Sequence, residues 1–437
     1  MKHPATWHRV SATLRARKLA RTSVAVVAMG AIALTAGCAS SDTGDSGKTT
    51  IEFAQWWEPE LPDGLLADLI DQFETENPDI TVKLLSNPYA STQQQIFANA
   101  TAGQFPDVVG LDGSWVNQLS NQGALADLDA LADEAGFDTS VMSAKVQVEG
   151  TTYSIPTVNF PYVLYTNDDL LAQAGVEAPP TTRSEFLADA QKITEGTDAS
   201  ATAIPLSLTD PSGVQIAVLN WLWASQGTML TDDRGPDIDN ADVKSLMEFI
   251  KQLYDDGSVA PGAFTMPQQD MVQGFTNGKV AMMLDSPAHL NGIRADNPDL
   301  KFSVSQIPLA DDYSGQPGIP GNAWGIGVSA KSDNQEAAFK LVQFLLSKDA
   351  NGILASGANA FPGNTEATPD FEGKDPLYKT AFEIYQKAKS IENEFSGLPK
   401  AQDLMRTLDE QLQSTLDGKQ SIDELLDNTQ AQWAEVF

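Results

Sequence analysis

In 437 residues the chain has one cysteine, Cys38, and three histidines, His3, His8 and His289. A single cysteine excludes any disulfide within the chain. With the first 37 residues set aside only His289 remains, so a multi-histidine metal site has too few ligands and a Ser/His/Asp triad would hang on one residue. Basic residues are also scarce, 27 Lys and Arg against 59 Asp and Glu. Six of the 27 (Lys2, Arg9, Arg15, Arg17, Lys18, Arg21) fall in residues 1–37, leaving 21 against 59 and a net charge of −38 beyond them. That balance argues against nucleic acid as a partner and keeps the chain off anionic lipid surfaces. No apolar run reaches bilayer length: the uncharged stretch 22–37 falls short of the roughly 18 residues a span requires.

What is present is a globular composition, 42% hydrophobic and 20% charged, long enough for two or three lobes. Residues 1–37 join a basic start to an apolar run over 24–36, the layout of a secretory signal. Leu34-Thr35-Ala36-Gly37-Cys38 resembles the lipobox of bacterial lipoproteins, with Thr35 where Leu is commoner. The resemblance implies that Cys38 is lipidated and becomes the mature N-terminus, anchoring the chain outside the cytoplasm. Residues 38–48 then read as a flexible Ser-, Gly- and Thr-rich tether.

From Ile51 the periodicity predicts strand 51–53, helix 62–76, strand 80–84, helix 92–102, strand 107–111 and helix 115–122. Strands at 163–166 and 280–284 follow, and beyond 337 the spacing is helical over 337–346, 377–391, 401–416 and 422–433. Mixed α/β sheets covered by helices are expected, with a crevice beyond the strand carboxyl ends, just after Phe53, Leu111 and Leu284.

Several segments then occur in a telling order. Gly103-Gln104-Phe105-Pro106-Asp107, Gly123-Ala124-Leu125-Ala126-Asp127-Leu128, and Leu164-Tyr165-Thr166-Asn167 followed by Ala174-Gly175 and Pro179-Pro180-Thr181-Thr182 resemble segments of the family 1 extracellular solute-binding proteins, the maltose-binding-protein type. Phe275-Thr276-Asn277-Gly278-Lys279-Val280-Ala281-Met282 and the glycine-rich 321–329 extend the likeness over nearly the whole mature chain. Thr166 stands where the family usually has Tyr, and Ala288-His289 where it often has an aromatic. The resemblance implies a two-lobed periplasmic-binding-protein-like α/β fold of type II, with residues 49–157 and 322–348 in one lobe and 158–321 and 349–437 in the other. It further implies a monomer that captures a small solute, with a carbohydrate foremost, for the permease of an ABC importer, without cofactor or metal. Peptide and polyamine ligands are the alternatives within binding; a secreted glycoside hydrolase is the alternative outside it.

A sugar site needs aromatic faces and a few fixed polar groups. Trp56 and Trp57 follow the first strand, with one expected at the ligand and the other in core or surface. Tyr89 follows the second strand. Asp112, Ser114 and Trp115 follow the third, where a carboxylate and an aromatic would meet ligand or Asp112 or Ser114 would cap the next helix. Tyr162 lies near the hinge. Asp210 precedes a helix carrying Trp221 and Trp223, which at i and i+2 cannot share a face, so at most one should reach the cleft. Asp285 and Ser286 follow strand 280–284. Asn322 and Trp324 lie in the return to the first lobe, where Trp324 would stack on ligand or lock the crossover, and Phe361 and Arg406 complete the set. The stretch 274–280 lacks phosphate-loop spacing and its magnesium-binding hydroxyl, and the acidic run 231–239 lacks calcium-loop spacing and reads as a solvated loop.

Overall fold

The computed structural model describes residues 48–391 and 393–437. The leader, Cys38 and nearly all of the tether lie outside them. Twelve strands occur among the described residues: β1 (Thr49–Gln55), β2 (Ile80–Ser86), β3 (Val108–Leu111), β4 (Val146–Val148), β5 (Thr151–Pro161), β6 (Val163–Asn167), β7 (Ser200–Thr202), β8 (Val280–Asp285), β9 (Phe302–Ser305), β10 (Gly318–Val328), β11 (Phe361–Pro362) and β12 (Lys389–Ile391). They form two sheets. In the first the order is β11-β5-β10-β3-β1-β2, with β4 beside β5 and β12 beside β10; in the second it is β7-β8-β6-β9. Parallel pairing of β1 with β2 and β3 follows from helical crossovers, α1 (Leu65–Glu76) and α2 (Tyr89–Ala102), whereas β10 runs antiparallel to both β3 and β5.

Helix α1 buries Leu66, Leu69, Ile70 and Phe73, the i, i+3, i+4, i+7 stripe read from the sequence. It starts at Leu65 rather than 62 because Gly64 takes a left-handed conformation (φ 82°) just before it. Helices Gln335–Leu345, Ala401–Leu416 and Ile422–Ala434 also match their expected spans. The helix expected to reach 391 instead stops at Lys387, and 389–391 forms β12, paired parallel with Gly318 to Pro320.

Two hydrophobic cores divide the described chain. One gathers Ile51, Phe53, Val108, Ile155, Trp324 and Ile326; the other gathers Val163, Tyr165, Phe186, Trp221, Met282 and Leu404. The chain therefore passes from the first core to the second along the end of β5 and returns along β10. A third crossing falls between Ala360 and Phe361, not at 348/349 as the sequence suggested, since Ala350, Leu354 and Ala355 pack in the first core. The reason is the two-residue connection between helices Gln335–Leu345 and Lys348–Gly357, which leaves the second helix beside the first.

At the centre of the first core Trp57 is fully buried and lies parallel to Trp324, ring centroids 5.5 Å apart and 5° between planes. Replacing Trp57 by Ala is expected to cost about 3–5 kcal/mol of stability, by lost transfer energy and the cavity left behind; denaturant unfolding measures it. In the second lobe Asp409 is buried on helix Ala401–Leu416, with Oδ1 accepting from Gln413 Nε2 (3.3 Å) and Oδ2 without a partner. Burial pushes its carboxyl up to about 7, helped by the charges of Glu410 and Asp210. A carboxyl raised on folding stabilises the protonated fold, and that contribution is lost as pH climbs from the ordinary carboxylate range through about 7. Asp409→Asn should therefore raise the thermal midpoint relative to the parent more at pH 8 than at pH 5, as followed by calorimetry.

Candidate functional site

The carboxyl ends of β1 and β3 deliver the aromatic residues to one place. Trp56 contacts Tyr89 and Trp115, each at 5.2 Å between centroids, and approaches Trp324 at 6.5 Å. All four tryptophans, Trp56, Trp57, Trp115 and Trp324, are at most 6% exposed. Their faces pack on one another rather than standing open, so Trp57 and Trp324 do here the work of core and crossover. The adjacent Trp56 and Trp57 share one fate, where the sequence suggested two.

Asp112 shows how one side chain can cap and face the cleft together. It caps α3 (Gly113–Asn121), its Oδ1 accepting from Ser114 N (2.9 Å) and Ser114 Oγ (2.6 Å). Its Oδ2 accepts from Tyr89 Oη at 3.2 Å. Burial first, then the Asp112 charge, pushes the Tyr89 phenol well above its ordinary range, so it stays a neutral donor.

Asp112 also lines a cleft of about 680 Å³, including space open to solvent, on the seam between the lobes. Ser154 faces it from the first lobe, Asn159 and Asn322 from the crossing strands β5 and β10, and Tyr385 and Asn393 from the second lobe. Further along the same seam a groove of about 1040 Å³ on the same measure is lined by Ser114 and Trp115 on one side and Lys400 and Gln402 on the other.

Asn322 is the hub of an amide cluster at the first of these. Its Oδ1 accepts from Gln215 Nε2 (2.6 Å) and Asn393 Nδ2 (3.3 Å), and its Nδ2 donates to Tyr162 Oη (3.1 Å). Asn393 Nδ2 also donates to Gln215 Oε1 at 3.1 Å. Gln215 begins a π-helical turn, Gln215–Leu219, between the three-residue α-helical segment Ser212–Val214 and the helix Asn220–Ala224. Such wide turns recur at functional sites because they re-aim a side chain. Sequence reasoning reached Asn322 and Tyr162 but missed Gln215, Asn393, Asn159 and Ser154; Ser154 lies in Tyr153-Ser154-Ile155-Pro156, a stretch similar to the family's entry to the hinge, and the other three sit in no motif that would mark them.

The remaining candidates are not among the residues lining this cleft. Trp221 packs against Phe186 (4.8 Å) and Phe249 (4.9 Å), and Trp223 donates its indole N–H to Glu394 at 2.7 Å. Neither lines the cleft: helix Asn220–Ala224 is buried on every side, so both of its faces meet protein. Phe361 is buried against Tyr378, Phe382 and Tyr385. Asp285 is buried, accepting from Gln268 Nε2 (3.1 Å) and lying 2.8 Å from His289 Nδ1, out of hydrogen-bonding alignment; the carboxylate nonetheless holds the imidazole pKa above its usual value. The Ser286 carbonyl accepts from Tyr165 Oη (2.9 Å). Asp210 is half-buried in the loop before the π turn, and Arg406 is exposed.

Residues 58–352 match the family described as bacterial extracellular solute-binding protein. Among relatives, the maltooligosaccharide ABC transporter solute-binding lipoprotein of Streptococcus pneumoniae is 26% identical over 77% of this chain and 78% of its own length. The galactooligosaccharide-binding protein of Bacillus subtilis is 23% identical over 71% of this chain and 72% of its own. The crystal structure of the cyclic alpha-maltosyl-1,6-maltose binding protein from Arthrobacter globiformis superposes with a TM-score of 0.73 at 21% identity, covering 89% of this chain and 99% of that one. Two cores joined by crossing strands, a cleft along their seam and a match over two thirds of the residues agree: the chain belongs to the bacterial extracellular solute-binding protein family.

Proposed function

We propose that the chain is the solute-capturing subunit of an ABC importer for a carbohydrate, held outside the cytoplasmic membrane through lipidated Cys38. The observation that carries this reading is the chemistry of the cleft, where Asp112 is the one charged side chain among the described lining residues and stands with amides, hydroxyls and apolar groups. Neutral donors and acceptors suit a ligand that is all hydroxyl. A polyamine calls for several carboxylates, and a free peptide for a partner to each charged end. The names of the pneumococcal and Bacillus relatives, an oligosaccharide-binding lipoprotein and an oligosaccharide-binding protein, point the same way.

Capture, rather than conversion, is the chemistry these groups support. Glycoside hydrolysis uses two opposed carboxyl groups about 5–9.5 Å apart, and the described lining residues supply one, Asp112. Asp112 and Ser154 from one lobe and Asn393 from the other bind a common solute only while the lobes are together, so ligand shifts the population toward the closed form. That form is what a permease would recognise as loaded. The lipid at Cys38 keeps the loaded protein near it.

The test is a thermal-shift panel of maltotetraose, galactobiose, a tripeptide and putrescine, with chromatography of the incubated sugars. Stabilisation by an oligosaccharide with no new product is expected, about 2.7 kcal/mol at a hundredfold excess over the dissociation constant. Stabilisation by putrescine or tripeptide alone, or any sugar cleavage, overturns the reading. Asn322→Ala should weaken the responding sugar about tenfold or more by titration calorimetry, because Gln215, Asn393 and Tyr162 lose their common partner.

A further inference from the structure

Across the seam the two lobes meet where two glycines let peptide groups come within hydrogen-bonding reach. Segment 393–397 projects from the second lobe, and it is firmly held there. The Glu394 carboxylate accepts from Trp223 Nε1 (2.7 Å), from the Thr228 hydroxyl and from Met229 N (3.1 Å). Arg234, in the acidic loop that no ligand chemistry had claimed, donates to the carbonyls of Glu394 (3.0 Å) and Ser396 (2.7 Å). Phe395 and Leu398 are buried in the second core.

The tip of this segment rests on the first lobe. Gly397 N donates to the Gly113 carbonyl at 3.0 Å, and Asn117 Nδ2 donates to the Gly397 carbonyl at 3.0 Å. Both glycines stand where a side chain has no room. A Cβ on Gly113 would lie 2.5 Å from Ser396 Oγ and 3.0 Å from Ser396 Cβ; one on Gly397, which has φ +73°, would lie 2.6 Å from the Gln147 carbonyl.

We infer that Gly113, Ser396 and Gly397 form a latch that sets the balance between open and closed lobes through contacts requiring no solute. Apparent affinity equals intrinsic affinity multiplied by the fraction of molecules able to bind. The latch thus tunes capture through that fraction, from positions where the sequence shows only two glycines and a serine. The inference deepens the importer reading and rests on its closure of two lobes, but not on the solute being a sugar.

Gly113 offers a clean test. It opens α3 without a left-handed φ, so Ala there favours the helix, and the three atoms nearest its Cβ all belong to Ser396, across the seam. Fluorophores on Glu134→Cys and Glu248→Cys, exposed positions on opposite lobes, in the full chain carrying Cys38→Ser, report lobe separation by single-molecule energy transfer with no solute added. The parent should show a compact population, and Gly113→Ala should reduce it about tenfold or more, the scale of over-packing a closed contact. Adding Ser396→Gly to Gly113→Ala should restore it. A parent without a compact population, a Gly113→Ala ensemble matching the parent, or a double variant that stays open overturns the inference. Because no solute enters the measurement, failure of the carbohydrate panel and failure of the latch give separate results.

Discussion

The antiparallel pairing of β5 with β10 is the constraint on which the rest depends. These strands carry the chain out of one hydrophobic core and back from the other, in register from Gly321 opposite Pro161 to Ile326 opposite Ile155. Prolines in an interior strand remove ladder donors, and the register shifts between Trp324 and Gly325, next to Pro156, where the ladder must accommodate one. The third crossing is tied to the same pair: Thr157 Oγ1 donates to the Trp324 carbonyl (2.8 Å), and Asn351 Nδ2 donates to the Thr157 carbonyl (2.7 Å). From this scaffold Asn159 and Asn322 face the cleft while Trp324 turns back onto Trp57.

The division of labour between aromatic and amide side chains follows. Aromatic mass stabilises the first lobe and holds the hinge strand against β1, whereas the polar groups facing the cleft are mostly uncharged amides and hydroxyls, with Asp112 the charged one among the described residues. An interlinked amide cluster holds its members in fixed orientations, which favours binding because less side-chain freedom remains to be lost. The neutral Tyr89 phenol serves the same end, fixing the Asp112 carboxylate from one side while Ser114 fixes it from the other.

Much of this was legible in the sequence wherever one local signal governed. The stripe Leu66, Leu69, Ile70, Phe73 gave α1, the alternation after Ile80 gave β2, and Asp112 announced both a cap and a cleft residue. What stayed hidden depends on distant partners. Nothing near Gln215 foretells a π turn, whose five residues are all buried and read from sequence as ordinary helix. Trp221 and Trp223 looked divided between core and cleft because helical geometry puts them on different faces, and only tertiary packing reveals that both faces are covered. Lys348–Gly357 was assigned to the wrong side because apolar spacing says that a helix is half-buried without saying against which core.

The first lobe is built from separated stretches of chain, and this bears on when it can fold. The Thr157 to Trp324 bond joins residues 167 positions apart, and Leu354, Ala355 and Ala360 are needed to complete the same core. Long-range closure of this kind is slow, because the entropy of a large loop must be overcome before any native contact compensates for it. A nascent chain that has emerged only as far as the second lobe therefore cannot finish the first. The first core thus stays incomplete until about residue 360 has been made, late in the synthesis of the chain.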